Sequence, residues 1–321
     1  MPLITTDLTL VLQALRRGEA VAIPTETVYG LAAMIDKEQA IRTVFTLKQR
    51  PLSHPLIVHI AHGWDLSALV TDIPNYLHEL MANFWPGPLT LVFRSKPNTI
   101  NPLITGGQPT IAIRCPAHPL TQSLLEQLQT PLVAPSANPF GKISPTTAMH
   151  VKHSFCDSDL LILDGGRCSV GIESTIIDAT NLQSYQILRH GMIDETTINN
   201  ICSTKVLHKD NSIRVPGKLD HHYQPKKKLY YFEDYDGLAH FCQKKQHEVY
   251  VLARKQPETI KDAHFYLLAH TPQEAAYELF YQLRKADESN AACIAIELPP
   301  KNSAWEGIRE RILKAGSPDT E

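Results

Sequence analysis

With 321 residues, 43% hydrophobic and 20% charged, the chain has globular composition and is long enough for one large domain or, more in keeping with domain sizes, two. A net charge of −2 excludes a whole-chain pull toward nucleic acid, so any anion site must be a local concentration of Lys and Arg. Six scattered cysteines without a C-x-x-C pair, no basic leader in MPLITTDLTL and no run near the ~20 apolar residues of a membrane span make a soluble cytoplasmic protein with reduced thiols the expectation.

Residues 7–18 read as a helix, with Leu8, Leu12 and Leu15 on one stripe and Gly18 as its stop. The run AVAI at 20–23 is β-compatible and ends at Pro24, which has no N–H for a central ladder. Beyond it Thr25, Glu26, Thr27 and Tyr29 put three hydroxyls and a carboxylate into five residues before Gly30. Taken alone this is a polar turn. Asp36 and Gln39 resemble a capping box before the apolar face of Ala40, Ile41, Val44 and Phe45, in a helix that closes on Lys48, Gln49 and Arg50. Cations in a last turn suit the helix dipole without any ligand.

A strand follows at 56–60, with His59 inside it; by position alone that histidine reads as a satisfied core residue. A helix is expected over 72–84, strands at 89–93 and 110–114 on either side of a Pro/Asn/Gly-rich loop, a helix at 118–128 and a strand at 132–134. PSAN at 135–138 is a second polar turn, and Ser144 with Pro145 reads as a helix cap opening a short helix through Val151. Strands at 160–163, 171–178 and 185–189 and a helix at 194–201 complete the first pattern. Residues 203–228 lose hydrophobic periodicity and read as a basic linker. A second pattern then runs strand 229–232, helix 236–245, strands 248–253 and 265–268, helix 272–285, strand 292–298, helix 304–315. This small α/β, Rossmann-like unit carries no catalytic motif.

Lys48, Arg50, Arg114 and Arg189 each close a regular element, as do the hydroxyls of Thr27, Ser136, Ser144 and Ser174. Together they suggest a shared mouth of cations and hydroxyls, suited to a polyanion such as a nucleoside triphosphate. Neither G-x-x-x-x-G-K-[ST] nor G-x-G-x-x-G is present, so such a site must be built from dispersed side chains.

PTETVYGLAA (24–33), KQRP (48–51), HPLIVHI (54–60), WPGPLTLVF (85–93), TIAIRCP (110–116), PLVAPSAN (131–138), LDGG (163–166), ESTIID (173–178) and ILRHG (187–191) resemble the YrdC-like domain of threonylcarbamoyl-AMP synthases. The linker, through Pro216, Gly217, His222, Tyr223 and Pro225, resembles that of the family's long, two-domain members. The resemblance implies α/β architecture: a YrdC-like twisted open sheet flanked by helices around a ligand cavity (1–202), a linker or lid (203–228), and a C-terminal α/β domain (229–321). It implies that L-threonine, bicarbonate or CO2 and ATP give threonylcarbamoyl-adenylate and pyrophosphate. The product would serve the t6A modification of tRNA through a t6A transferase complex.

By the same resemblance, Lys48, Arg50, Ser136 and Asn138 are the catalytic set, and Thr27, His59, Arg114, Ala134 and Ser174 the threonine pocket. Arg50, His54, Thr110, Ser136, Ser144, Arg189 and Tyr223 form the ATP side, with Tyr223 closing over the nucleotide. His54 departs from the Asn of many relatives. Mg2+ is expected with the triphosphate, without a protein metal site; a monomer with weak tRNA contact and no membrane contact completes the expectation. The alternative is a tRNA or double-stranded RNA-binding module without adenylate formation; the charge of −2 and the absence of basic motifs interleaved with aromatics weigh against it.

Overall fold

In a computed structural model, residues 1–202, 204–206, 213–217, 222–245, 248–258, 260 and 264–319 are described. The first part supplies β1 (Leu3–Thr5), α1 (Leu8–Arg16), β2 (Val21–Ile23), β3 (Gly30–Met34), α2 (Glu38–Lys48), β4 (Ile57–His59), α3 (Tyr76–Phe84), β5 (Leu89–Arg94) and α4 (Pro102–Thr105). Next come β6 (Thr110–Arg114), α5 (Pro119–Leu128), β7 (Leu132–Val133), α6 (Ala148–Ser154), β8 (Leu161–Leu163), β9 (Thr175–Asp178), β10 (Ser184–Arg189), α7 (Glu195–Ile201) and β11 (Lys205–Val206). The last part holds β12 (Lys228–Phe232), α8 (Tyr235–Lys245), β13 (Val249–Ala253), β14 (Phe265–Leu267), α9 (Pro272–Glu288), β15 (Cys293–Glu297), α10 (Glu306–Ala315) and β16 (Ser317–Pro318).

Among the described residues the first sheet runs β1-β8-β2-β3-β7-β4-β6-β5-β9-β10-β11, mixed in direction. Its short strands are apolar on both faces because helices and loops cover both. The register aligns Thr90 of β5, Arg114 of β6 and His59 of β4 in one row across three neighbouring strands.

The mixed α/β architecture is the one the sequence implies, with local corrections. The run after Pro24 is not a turn throughout: from Gly30 it returns as β3, antiparallel to β2. Asp36 does not cap α2; Lys37 holds that position without a side-chain bond. Thr147, not Ser144, caps α6, its hydroxyl accepting from His150 N. Only Thr175–Asp178 of the expected 171–178 strand is paired, because Glu173 and Ser174 turn their side chains into buried polar contacts. The loop before β6 contains α4, which starts on Pro102 behind an Asn101 cap. Part of the expected linker pairs as β11 with β10, whereas 203, 207–212 and 218–221 lie outside the described residues.

The second sheet, β14-β13-β15-β12-β16, is parallel at every pairing. Alternate residues face opposite sides: Val249, Val251 and Ala253 pack with α8, while Tyr250 and Leu252 pack with α9 and α10. Those two helices also meet the first part, and Val28, Ile143 and Ile172 join their cluster. The approach is close enough that a Cβ on Gly307 would lie 2.7 Å from the Gly191 carbonyl. No helix among the described residues is long and apolar enough to cross a membrane.

Candidate active site

The ends of β4, β6, β10 and α2 converge on one cleft. Two cations reach it through one backbone reversal. Lys48 ends α2, and Gln49 adopts the left-handed conformation (φ 53°), its N–H bonding back to the Phe45 and Thr46 carbonyls. Residues two apart on a helix point in different directions; the reversal at Gln49 turns both Lys48 and Arg50 into the cleft. Lys48 donates to the carbonyls of Ser136 and Asn138, the latter at 2.6 Å, and so ties the PSAN turn to α2. Burial, reinforced by Arg50, pushes its pKa well below the usual lysine value.

Arg50 donates through Nη2 to the Pro55 carbonyl at 2.9 Å, and burial with Arg189 nearby lowers it to about 10. Arg189 forks onto Ser174, reaching the carbonyl through Nε (3.0 Å) and Nη2 (2.9 Å) and the hydroxyl through Nη2 (3.0 Å). Its Nη1 donates to the Pro216 carbonyl at 3.2 Å. Glu173 is the carboxylate on this wall: burial opposes its charge, yet Arg311 and Arg189 hold its pKa below the usual value. Three buried cations against one carboxylate make an anion site.

The opposite wall is built on Arg114. Its Nη2 pairs with Glu26 Oε1 at 2.6 Å, Nη1 donates to Thr27 Oγ1 at 2.8 Å and Nε to the Gly87 carbonyl at 3.3 Å. A guanidinium has five N–H groups, so one remains on Nη1, while Nη2 meets Glu26 as an ion pair and is otherwise without a hydrogen-bond partner among the described residues. Thr25 shapes the turn by donating to the Val28 carbonyl and accepting from Thr27 N and Val28 N. Tyr29 points away, its hydroxyl joined to Gly166 O and Gly165 N. Thr27 is therefore the hydroxyl of this stretch that reaches the cleft. His59 Nδ1 lies 3.2 Å from the Ile57 carbonyl, which assigns the proton to Nδ1 and leaves Nε2 an acceptor. Burial and Arg114 depress its pKa to about 3, so the ring is neutral.

Of the expected residues, Thr27, Lys48, Arg50, His59, Arg114, Ala134, Ser136, Asn138, Ser174, Arg189 and Tyr223 line this cleft. Three are not among the residues that line it. Ser144 donates to Glu173, His54 packs edge-on to Phe140 with ring centroids 5.2 Å apart, and Thr110 opens β6 at the end remote from Arg114. Tyr223 is fully buried and stacks on Phe280 at 5.5 Å. Gly217 fits under it because a Cβ there would lie 2.5 Å from the Tyr223 hydroxyl, and its φ of +84° suits glycine. Arg50 Nε, Asn138 Oδ1, His222 Nδ1 and the Tyr223 hydroxyl are buried without a hydrogen-bond partner among the described residues. Such orphaned groups mark a place where a ligand supplies the partner.

The sequence reading gave Glu26 no partner, named Glu173 and His222 within motifs without a role in the site, and left out Arg311. ESTIID carried a signal for Glu173; EGIRERILKA carried none for Arg311, which reads there as an exposed helical charge. Arg311 is instead fully buried, with Nε 3.1 Å from Glu173 Oε2 and its guanidinium carbon 5.5 Å from the Tyr223 ring centroid.

An open α/β sheet whose strand ends gather cations, hydroxyls and one fixed guanidinium has the chemistry suited to a polyanion beside a small polar ligand. A family model described as "Telomere recombination" matches residues 13–191, and one described as "Threonylcarbamoyl-AMP synthase, C-terminal domain" matches 184–317. The chain is 34% identical to the threonylcarbamoyl-AMP synthase of Pyrococcus abyssi over 94% of its length and 91% of the relative's. It is 36% identical to that of Bacillus subtilis over 94% and 90%. The crystal structure of P. abyssi Sua5 complexed with L-threonine superposes with a TM-score of 0.87 at 31% identity, over 99% of each chain. The chain belongs to the threonylcarbamoyl-AMP synthase family, in its long form.

Proposed function

We propose that this chain makes threonylcarbamoyl-AMP and pyrophosphate from L-threonine, bicarbonate or CO2 and ATP, for t6A formation in tRNA. It would thereby act as a nucleotidyltransferase. The observation that carries the reading is one cleft with two chemically different walls: Arg114, Thr27 and His59 on one, and Lys48, Arg50 and Arg189 on the other. The N–H groups of Arg114 left without a hydrogen-bond partner among the described residues suit the threonine carboxylate, and Glu26 and Gly87 hold the fork in plane. The neutral His59 offers Nε2 to a donor of the amino acid.

The threonine amine is first carboxylated to a carbamate, an N–H bond giving way to N–C with release of a proton when the source is CO2 or of water when it is bicarbonate. A carbamate oxygen then attacks the α-phosphorus and the bond to pyrophosphate breaks, so the adenylyl group moves to the carbamate oxygen. The demand is for positioning and charge stabilisation, which Lys48, Arg50 and Arg189 can meet at the phosphates. Mg2+ enters as MgATP. Glu173 is already engaged by Ser144 and Arg311, so phosphate oxygens and water are the fitting donors. Pro216, Gly217, His222 and Tyr223 cover the cleft and would shield the mixed anhydride from water. The adenylate then passes to a t6A transferase.

The test is incubation with ATP, Mg2+, bicarbonate and L-threonine. Threonine-dependent pyrophosphate and the mass of the adenylate are expected; pyrophosphate release indifferent to threonine would overturn the reading.

A further inference from the structure

The second sheet has its own reversal of chain order. β13 connects outward to its neighbour β14, whereas β15, its other neighbour, connects through α10 the opposite way to β16. In open α/β sheets such a reversal, at the carboxyl ends of the strands, is where ligands bind. A cavity lies there, lined at one end by Arg254, next after β13, and its partner Glu297, the last residue of β15.

Its body is apolar, formed by Leu279 of α9, Ile296 of β15, Trp305, and Ile308 and Ile312 of α10. Its polar end is asymmetric. Glu297 accepts from Arg254 N (2.8 Å), from Nε (3.0 Å) and from Nη2, so its charge is met from within. Arg254 keeps Nη1 outside these bonds, on a side chain 35% exposed, with His270 also on the wall. Pro299 and Pro300 follow β15 and have no N–H, so this end lacks the backbone cradle a pyrophosphate requires.

We propose that this cavity binds a small organic carboxylate with an apolar body, its carboxylate on Arg254 and its body against Trp305, Ile308 and Ile312. The site is wired to the first cleft by one helix. Ile308 and Ile312 face the cavity, while Gly307 and Arg311 of the same α10 face the first part, where Arg311 holds Glu173. A ligand that displaces α10 alters the wall of the first cleft, and the coupling is reciprocal. The coupling rests on the proposed function; binding in the cavity does not.

Calorimetric titration of the full chain with octanoate, octanol and octyltrimethylammonium tests the site. Octanoate is expected to saturate one site, with the alcohol and the cation about 10-fold weaker or more, since one charge-assisted bond is worth roughly that factor. Arg254→Gln should weaken octanoate to the level of octanol. Ala275→Leu, which fills the cavity, should abolish binding of all three, with Ala269→Leu at the half-exposed rim as a second filling variant. Saturating octanoate should change threonine affinity about fivefold or more, the usual range of coupling energies. Failure of octanoate to saturate by about 10 mM, weaker than any useful site, overturns the proposal, as does equal binding of all three probes or indifference to both filling variants. Threonine affinity that stays fixed under saturating octanoate overturns the coupling. A chain that binds octanoate and no threonine overturns the functional reading instead.

Discussion

Arg114 is the residue at which one wall of the cleft is decided. Buried arginines are costly unless their charge is met, and here Glu26 meets the charge, Thr27 and Gly87 accept two N–H groups, and the rest face the cleft's ligand side unused. Arg114→Ala is expected to raise the threonine dissociation constant about 10- to 100-fold, the worth of one or two charge-assisted bonds, while ATP affinity changes less than about threefold. Calorimetry with each ligand separately decides the matter, and equal losses would remove Arg114 from the amino-acid pocket. That Arg114 and Thr27 belong to one site was legible from motif resemblance. That Glu26 fixes the guanidinium was not, because a carboxylate in a polar turn has the same sequence signature whether it faces water or an arginine.

Among the elements, α10 departs furthest from what its sequence suggests. Its charges read as a solvated face, yet Arg311 is buried between Glu173, Tyr223 and the His190 carbonyl. Removing one partner of a buried ion pair leaves the other charge uncompensated, which costs about 3–5 kcal/mol. Arg311→Met should therefore lower stability by that amount in chemical denaturation. Combining it with Glu173→Gln should recover more than half, because the stranded charge is gone. A double variant no more stable than Arg311→Met would show that the pair is not the joint between the two sheets. At α6 the lesson is similar. Ser144 before Pro145 has the pattern of a cap, but Glu173 captures its hydroxyl and Thr147 takes the cap. Local pattern loses to a buried carboxylate that needs a donor.

For the whole molecule, burial of neutral histidines sets an acid limit. Burial is the main cause that depresses His59, His150 and His222 to about 3, far below the ordinary value near 6.5. The unfolded chain binds these protons first. The contribution of these rings to stability is therefore full above pH ~6.5 and is lost as pH falls from there toward ~3, by up to about 1.4 kcal/mol per pH unit for each group. The guanidinium midpoint should fall steadily below pH 6; a midpoint equal at pH 7 and pH 5 would contradict the buried, neutral state of these rings.

The sequence by itself determined the α/β architecture, the order of most elements and the family. Apolar periodicity, Pro and Gly breaks and motif order are local properties, and they survive being read one residue after another. It also placed Lys48, Arg50, Arg114 and Arg189 at element ends, where a mouth could form. Only the tertiary structure decided which of the expected residues share that mouth. It turned Thr27 into the cleft and Tyr29 away from it, kept His54, Thr110 and Ser144 out of its lining, and brought Arg311 across from a helix more than 100 residues away. The physical reason is burial: a charged side chain reads alike in sequence whether it is solvated or sealed, and only packing against a distant segment shows which.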